Sequence, residues 1–114
     1  MKRVVLTVAL AVAIVVPMAA AARTAAISTI GVKASEFKFV LTNKTAPAGL
    51  VVFKITNVGH LKHDFAIAGK KSPMIAPGKS AALSVTFKSA GSFPYKCTVP
   101  GHAAAGMKGV FTVT

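Results

Sequence analysis

From Ile27 onward the chain is a series of short β-branched and aromatic runs broken by glycine, proline and asparagine, a pattern that predicts strands and no long helix. The runs cover residues 27–33, 37–42, 50–57, 64–68, 80–87, 91–97 and 108–114. Alternation tells which side is buried: Leu83, Val85 and Phe87 fall on one face of their run, and Ser84, Thr86 and Lys88 on the other. Turn chemistry stands between the runs, at Pro47-Ala48-Gly49, Asn57-Val58-Gly59, Pro77-Gly78 and Ala90-Gly91. Roughly seven short strands at this spacing predict an all-β, two-sheet Greek-key β-sandwich. No internal repeat or low-complexity linker divides this region.

The N-terminus follows another pattern. Lys2 and Arg3 precede an apolar run over residues 4–16, and small residues at 19–22 follow Pro17. A basic start, a short apolar stretch and an alanine-rich end predict a signal peptide over residues 1–22, with residues 23–114 as one exported domain. An uncleaved anchor would need about 20 apolar residues, and Pro17 argues against it.

Charge narrows the partners. Fourteen Lys and Arg face two acidic residues, Glu36 and Asp64, for a formal charge of +12. Such a field favours an acidic protein partner or peripheral contact with an anionic membrane. The lysines are scattered, with only Lys70 and Lys71 adjacent, and no basic run interleaved with aromatics marks a nucleic-acid face. Cysteine use is sharper still. Small exported domains usually gain stability from paired cysteines, and this chain has only Cys97. An exported lone thiol is vulnerable to oxidation unless it is buried, paired between chains or held by a metal.

Cys97 opens the run Cys97-Thr98-Val99-Pro100-Gly101-His102-Ala103-Ala104-Ala105-Gly106-Met107, which lies between two predicted strands and is expected to be a loop. It carries a thiolate, an imidazole and a thioether at spacings of five. A further imidazole stands before the predicted strand 64–68, as His63 or as His60 three residues earlier. Two imidazoles and a thiolate in a plane, with a weak axial thioether, form the ligand set of type 1 copper; structural zinc instead takes four Cys or His ligands.

The pattern N-x-G-x3-H-D-F followed by C-x4-H-x4-M-K-G resembles the cupredoxin family, which includes plastocyanins, pseudoazurins, amicyanins and auracyanins. The likeness extends over residues 36–113, and the lead-in Gly91-Ser92-Phe93-Pro94-Tyr95-Lys96-Cys97 shares in it. It implies a Greek-key sandwich of about seven to eight strands with one copper ion per chain at one end, held by His63, Cys97, His102 and Met107. It also implies a monomer that is no enzyme and that shuttles single electrons between redox proteins in the periplasm or on the outer face of the membrane. A periplasmic copper-delivery protein of the same fold is the alternative. The chain departs from the family at one position: many cupredoxins carry Asn after the first His ligand, and here the residue is Asp64. A carboxylate there is expected to bond Thr98 and to favour Cu(II).

Other residues receive plainer expectations. His60 reads as a solvated turn residue, Met74 as packing or a loop contact, and Tyr95 as a packing and hydrogen-bonding residue. Val99, Pro100, Gly101 and the alanines after His102 form an uncharged small-residue collar, suited to the close, transient approach of a redox partner.

Overall fold

The computed structural model describes residues 2–5, 7–14 and 26–114. The predicted cleavage site at about residue 22 lies outside them. Residues 2–5 and 7–14 carry no regular secondary structure, and Val4, Leu10 and Ile14 are 80 to 82% exposed. Among the described residues no helix is long and apolar enough to cross a membrane.

The seven predicted runs all form strands: β1 (Ala26–Ser35), β2 (Lys38–Leu41), β4 (Gly49–Asn57), β5 (Ala66–Ile67), β7 (Ser80–Phe87), β8 (Gly91–Lys96) and β9 (Lys108–Val113). Two further strands of two residues each, β3 (Thr45–Ala46) and β6 (Lys70–Lys71), bring the number among the described residues to nine, above the expected seven to eight. Neither piece is long enough to show alternation. β5 is shorter than predicted, and it turns into β6 through Ala68 and Gly69, both at positive φ, as a two-residue hairpin of the type that matches strand twist requires.

Two sheets face each other, in the orders β2-β1-β4-β7 and β3-β9-β8-β5-β6. The chain crosses between sheets from β2 to β3, β3 to β4, β4 to β5, β6 to β7 and β7 to β8, in the Greek-key manner expected. Register fixes the core. β1 runs parallel to β4 with Ile30 opposite Phe53, and β4 runs antiparallel to β7 with Val51 opposite Val85. Every second residue then points inward: Ile30, Val32 and Ala34 from β1, Val51, Phe53 and Ile55 from β4, Phe111 and Val113 from β9. Phe53 touches Phe65 and Phe111, with ring centroids 5.1 and 5.2 Å apart, and Phe65 stacks on Tyr95 at 5.3 Å. This aromatic column joins the two sheets, and its Phe65 and Tyr95 lie two residues along the chain from His63 and Cys97 respectively.

Candidate metal centre

Three loops meet at one end of the sandwich. The segment 58–65 leaves β4, the segment 97–107 joins β8 to β9, and the turn 35–37 joins β1 to β2. His63 is held by a two-way backbone bridge, its N–H donating to the Ile75 carbonyl at 3.1 Å and its carbonyl accepting from Ile75 at 2.8 Å. Cys97 follows the last residue of β8, and its N–H donates to the Met107 carbonyl at 3.0 Å. Met107 donates in turn to the His102 carbonyl at 3.1 Å. The loop expected between Cys97 and Met107 contains one helical turn, α1 (His102–Ala105), entered through Gly101 at φ 84° and left through Gly106 at φ 128°, values that favour glycine. That turn shortens the path and carries the His102 side chain inward.

His63, Cys97 and His102 converge and are all buried, at 0, 1 and 8% exposure. His63 Nδ1 and His102 Nδ1 are 3.1 Å apart, and Cys97 Sγ is 4.0 Å from the first and 3.6 Å from the second. A circle through these three atoms has a radius of about 2.1 Å, a bonding distance for a first-row transition metal with nitrogen and sulfur donors. The donors therefore fit a metal ion, and their softness suits copper. Met107 is fully buried beside them in the chain. His60, by contrast, is exposed and offers the site only its backbone.

Burial pushes the Cys97 thiol up, opposed by backbone N–H groups of Asp64 and Val99 that point at the sulfur. Asp64 is buried, and its carboxylate accepts from the Thr98 N–H at 2.6 Å and from the Thr98 hydroxyl. It ties the His63 segment to the Cys97 segment, as the sequence led one to expect of an acceptor at this position. Asn57, also buried, organises the first segment from within: Nδ2 donates to the carbonyls of Leu61 and Ile75 at 2.7 and 2.8 Å, and Oδ1 accepts from Gly59 at 2.9 Å.

Two residues of the site carried no sequence signal. Glu36, in the β1–β2 turn, accepts from the backbone N–H groups of Leu61 and His60 at 2.6 and 2.7 Å, and its Oε1 lies 3.2 Å from His63 Nε2. The Leu61 amide above all, with smaller help from the His60 amide and His63, holds its carboxyl down to about 2 against the opposing effect of burial. Phe37 sets its ring edge-on to His102, with centroids 5.1 Å apart. These contacts depend on how β1 and β4 pair, not on spacing along the chain. Both acidic residues of the chain are thus engaged on the two histidine- and cysteine-bearing loops.

Comparison with known proteins bears on which metal such a centre takes. A family model described as copper binding proteins, plastocyanin/azurin family, matches residues 21–114. The copper-resistant cuproprotein CopI of Pseudomonas aeruginosa is 35% identical over 77 residues, 59% of this chain and 40% of that protein, so the chain spans less than half of that relative's length. Among solved structures, dithionite-reduced auracyanin of Roseiflexus castenholzii superposes with a TM-score of 0.67 at 24% identity, covering 76% of this chain and 97% of its own. Auracyanin A of Chloroflexus aurantiacus, described as a blue copper protein, gives 0.65 at 20% identity over 78% of this chain and all of its own. At those identities the two structures establish the shared fold.

Proposed function

Because the chain belongs to the plastocyanin/azurin family of copper-binding proteins, we propose that it is a type 1 copper protein that carries single electrons between redox proteins outside the cytoplasm. The observation that carries this reading is the buried triangle of His63 Nδ1, His102 Nδ1 and Cys97 Sγ, with its 2.1 Å radius already set by backbone bonds. In this reading His63, Cys97 and His102 would hold the copper most strongly, and Met107 would add a weak thioether donor. Copper, when bound, supplies the one-electron Cu(I)/Cu(II) couple.

The residues of the chain do the rest. His63 is fixed by the Ile75 bridge, Cys97 and Met107 by their mutual hydrogen bond, and Asp64 locks the two segments together. A donor set held this firmly moves little when charge changes, which keeps the reorganisation barrier to electron transfer low. The amides of Asp64 and Val99 stabilise negative charge on the sulfur. Around His102, the exposed Pro100, Gly101, Ala104, Ala105 and Gly106 give a smooth uncharged landing area. The lysines from Lys33 to Lys108 are all exposed, and they steer an acidic partner toward the domain.

Three histidines leave only the exposed His60 beyond this site, too few for a separate catalytic copper centre in the chain, so we read it as a carrier and not an enzyme. The basic, apolar and alanine-rich N-terminus supports export, with residues 23–114 as the mature domain. The name of the CopI relative favours a second reading, a role in copper tolerance using the same centre.

Optical and EPR spectra of the copper-loaded mature protein test the assignment. An intense visible thiolate-to-copper band with one copper per chain, abolished by Cys97→Ser, supports it; a colourless or pale product overturns it. Electron transfer to an acidic redox protein that slows with salt separates the carrier from a tolerance protein, whose loss instead sensitises the host to copper.

A further inference from the structure

The turn between β1 and β2 places a carboxylate behind the first histidine. His63 is 0% exposed, so its outer nitrogen has no access to bulk water, and Glu36 Oε1 at 3.2 Å is the partner the fold gives it. A neutral imidazole carries one proton on its two nitrogens, and a carboxylate can only accept. With Nε2 facing Glu36, the proton belongs on Nε2, and the lone pair of Nδ1 faces His102 Nδ1 and Cys97 Sγ.

We propose that Glu36 is a positioning residue for the metal centre: by accepting the Nε2–H of His63 it fixes the tautomer and ring orientation that present Nδ1 to copper. This rests on the copper reading above. The rest of the neighbourhood is arranged for it. The same Oε1 accepts from the amides of His60 and Leu61 at 2.7 and 2.6 Å, so the carboxylate itself cannot swing away. A side chain at position 59 would collide with the Glu36 carboxylate, so Gly59 leaves the space it occupies. The carboxylate thus backs the imidazole on its Nε2 side while Nδ1 is left for the metal, an arrangement that raises ligand basicity and whose loss elsewhere lowers metal affinity about 10- to 100-fold.

All three donors converge on one oxygen, which makes glutamine a sharp control. Glu36→Gln can keep a carbonyl oxygen at that point, whereas Glu36→Ala removes it. Two readouts apply, on the full protein. In the metal-free form, 15N NMR of the His63 ring reports the tautomer without copper: the parent and Glu36→Gln are expected to carry the proton on Nε2, and Glu36→Ala to show a mixture of tautomers. In Cu(I) competition titrations Glu36→Ala is expected to lose about 10- to 100-fold in affinity and Glu36→Gln to recover to within a few-fold of the parent. If the alanine variant keeps the parental tautomer and affinity, or if glutamine fails to rescue either, the proposal is overturned. Should the parent itself bind no copper while its tautomer responds as expected, the copper reading fails and the positioning of His63 by Glu36 stands.

Discussion

Removing the Asp64 carboxylate is expected to weaken the link between the two ligand-bearing segments by a measurable amount. Asp64 is 1% exposed and accepts two hydrogen bonds from Thr98, one from the amide at 2.6 Å and one from the hydroxyl. A hydrogen bond to a charged group contributes about 1.5–3 kcal/mol. Thr98 is exposed, so water takes over for its hydroxyl in Asp64→Ala, and the amide bond accounts for most of the loss. The expected cost is about 2–4 kcal/mol, a large part of the 5–15 kcal/mol typical of a domain. With a urea m-value of about 2 kcal/mol/M, the unfolding midpoint of the metal-free protein falls by about 1–2 M. Asp64→Asn separates shape from charge. Its carbonyl still accepts from the Thr98 amide, and the Thr98 hydroxyl can rotate to accept from the new NH2, so stability changes by less than about 1 kcal/mol. The negative charge is lost, however, and with it a Coulombic attraction that a positive ion in the centre would feel. The one-electron potential is therefore expected to shift upward, because a carboxylate favours the more positive oxidised ion. Urea unfolding followed by circular dichroism and voltammetry of the copper form measure the two quantities. An alanine variant within 0.5 kcal/mol of the parent would refute the linkage, and an asparagine variant with an unchanged potential would remove Asp64 from the groups that tune the centre.

Other outcomes follow from the same geometry. Asn57→Ala removes the donor to the Leu61 carbonyl and leaves the Ile75 carbonyl only the His63 amide, and is expected to destabilise the fold by about 2–4 kcal/mol in the same urea assay, with copper binding weakened as the His63 segment loosens. His60→Ala is expected to leave the visible spectrum unchanged, since that side chain is exposed and only its amide is used; a loss of colour would move the first ligand from His63 to His60. Copper affinity is expected to rise with pH through neutrality. Burial holds the Cys97 thiol protonated beyond its ordinary value, so the proton must leave on metal binding, and the apparent affinity grows by up to about tenfold per pH unit until the thiol itself titrates. Competition titrations at pH 6, 7 and 8 check this, and a flat profile would contradict it.

The strands were legible because each core-facing run alternates over enough residues to leave one reading, as in β7, where Leu83, Val85 and Phe87 share the inward side. β5 was read too long for a physical reason. His63, Asp64 and Phe65 look like the start of a strand, but their hydrogen bonds go elsewhere, His63 to Ile75 and Phe65 to Ser72, whose hydroxyl accepts from the Phe65 amide at 3.0 Å. Leaving the ladder there is what frees His63 to face Cys97. The Cys97–Met107 spacing announced a convergence, yet not the helical turn that achieves it, since four residues of His-Ala-Ala-Ala carry no periodicity to detect. Glu36 and Phe37 stand 27 and 65 residues from the histidines they contact, and nothing in their local sequence points there. Only the parallel pairing of β1 with β4 brings that turn beside the centre.

That both carboxylates are engaged on the ligand-bearing loops also shapes the rest of the molecule. No acidic side chain is left to neutralise the exposed lysines, so the surface can form no Lys–carboxylate pairs of its own, and its charges only repel one another. Added salt screens that repulsion and favours the compact state. Ionic strength therefore acts on this protein in two opposite senses: the conditions that slow its encounter with an acidic partner are those under which it is hardest to unfold.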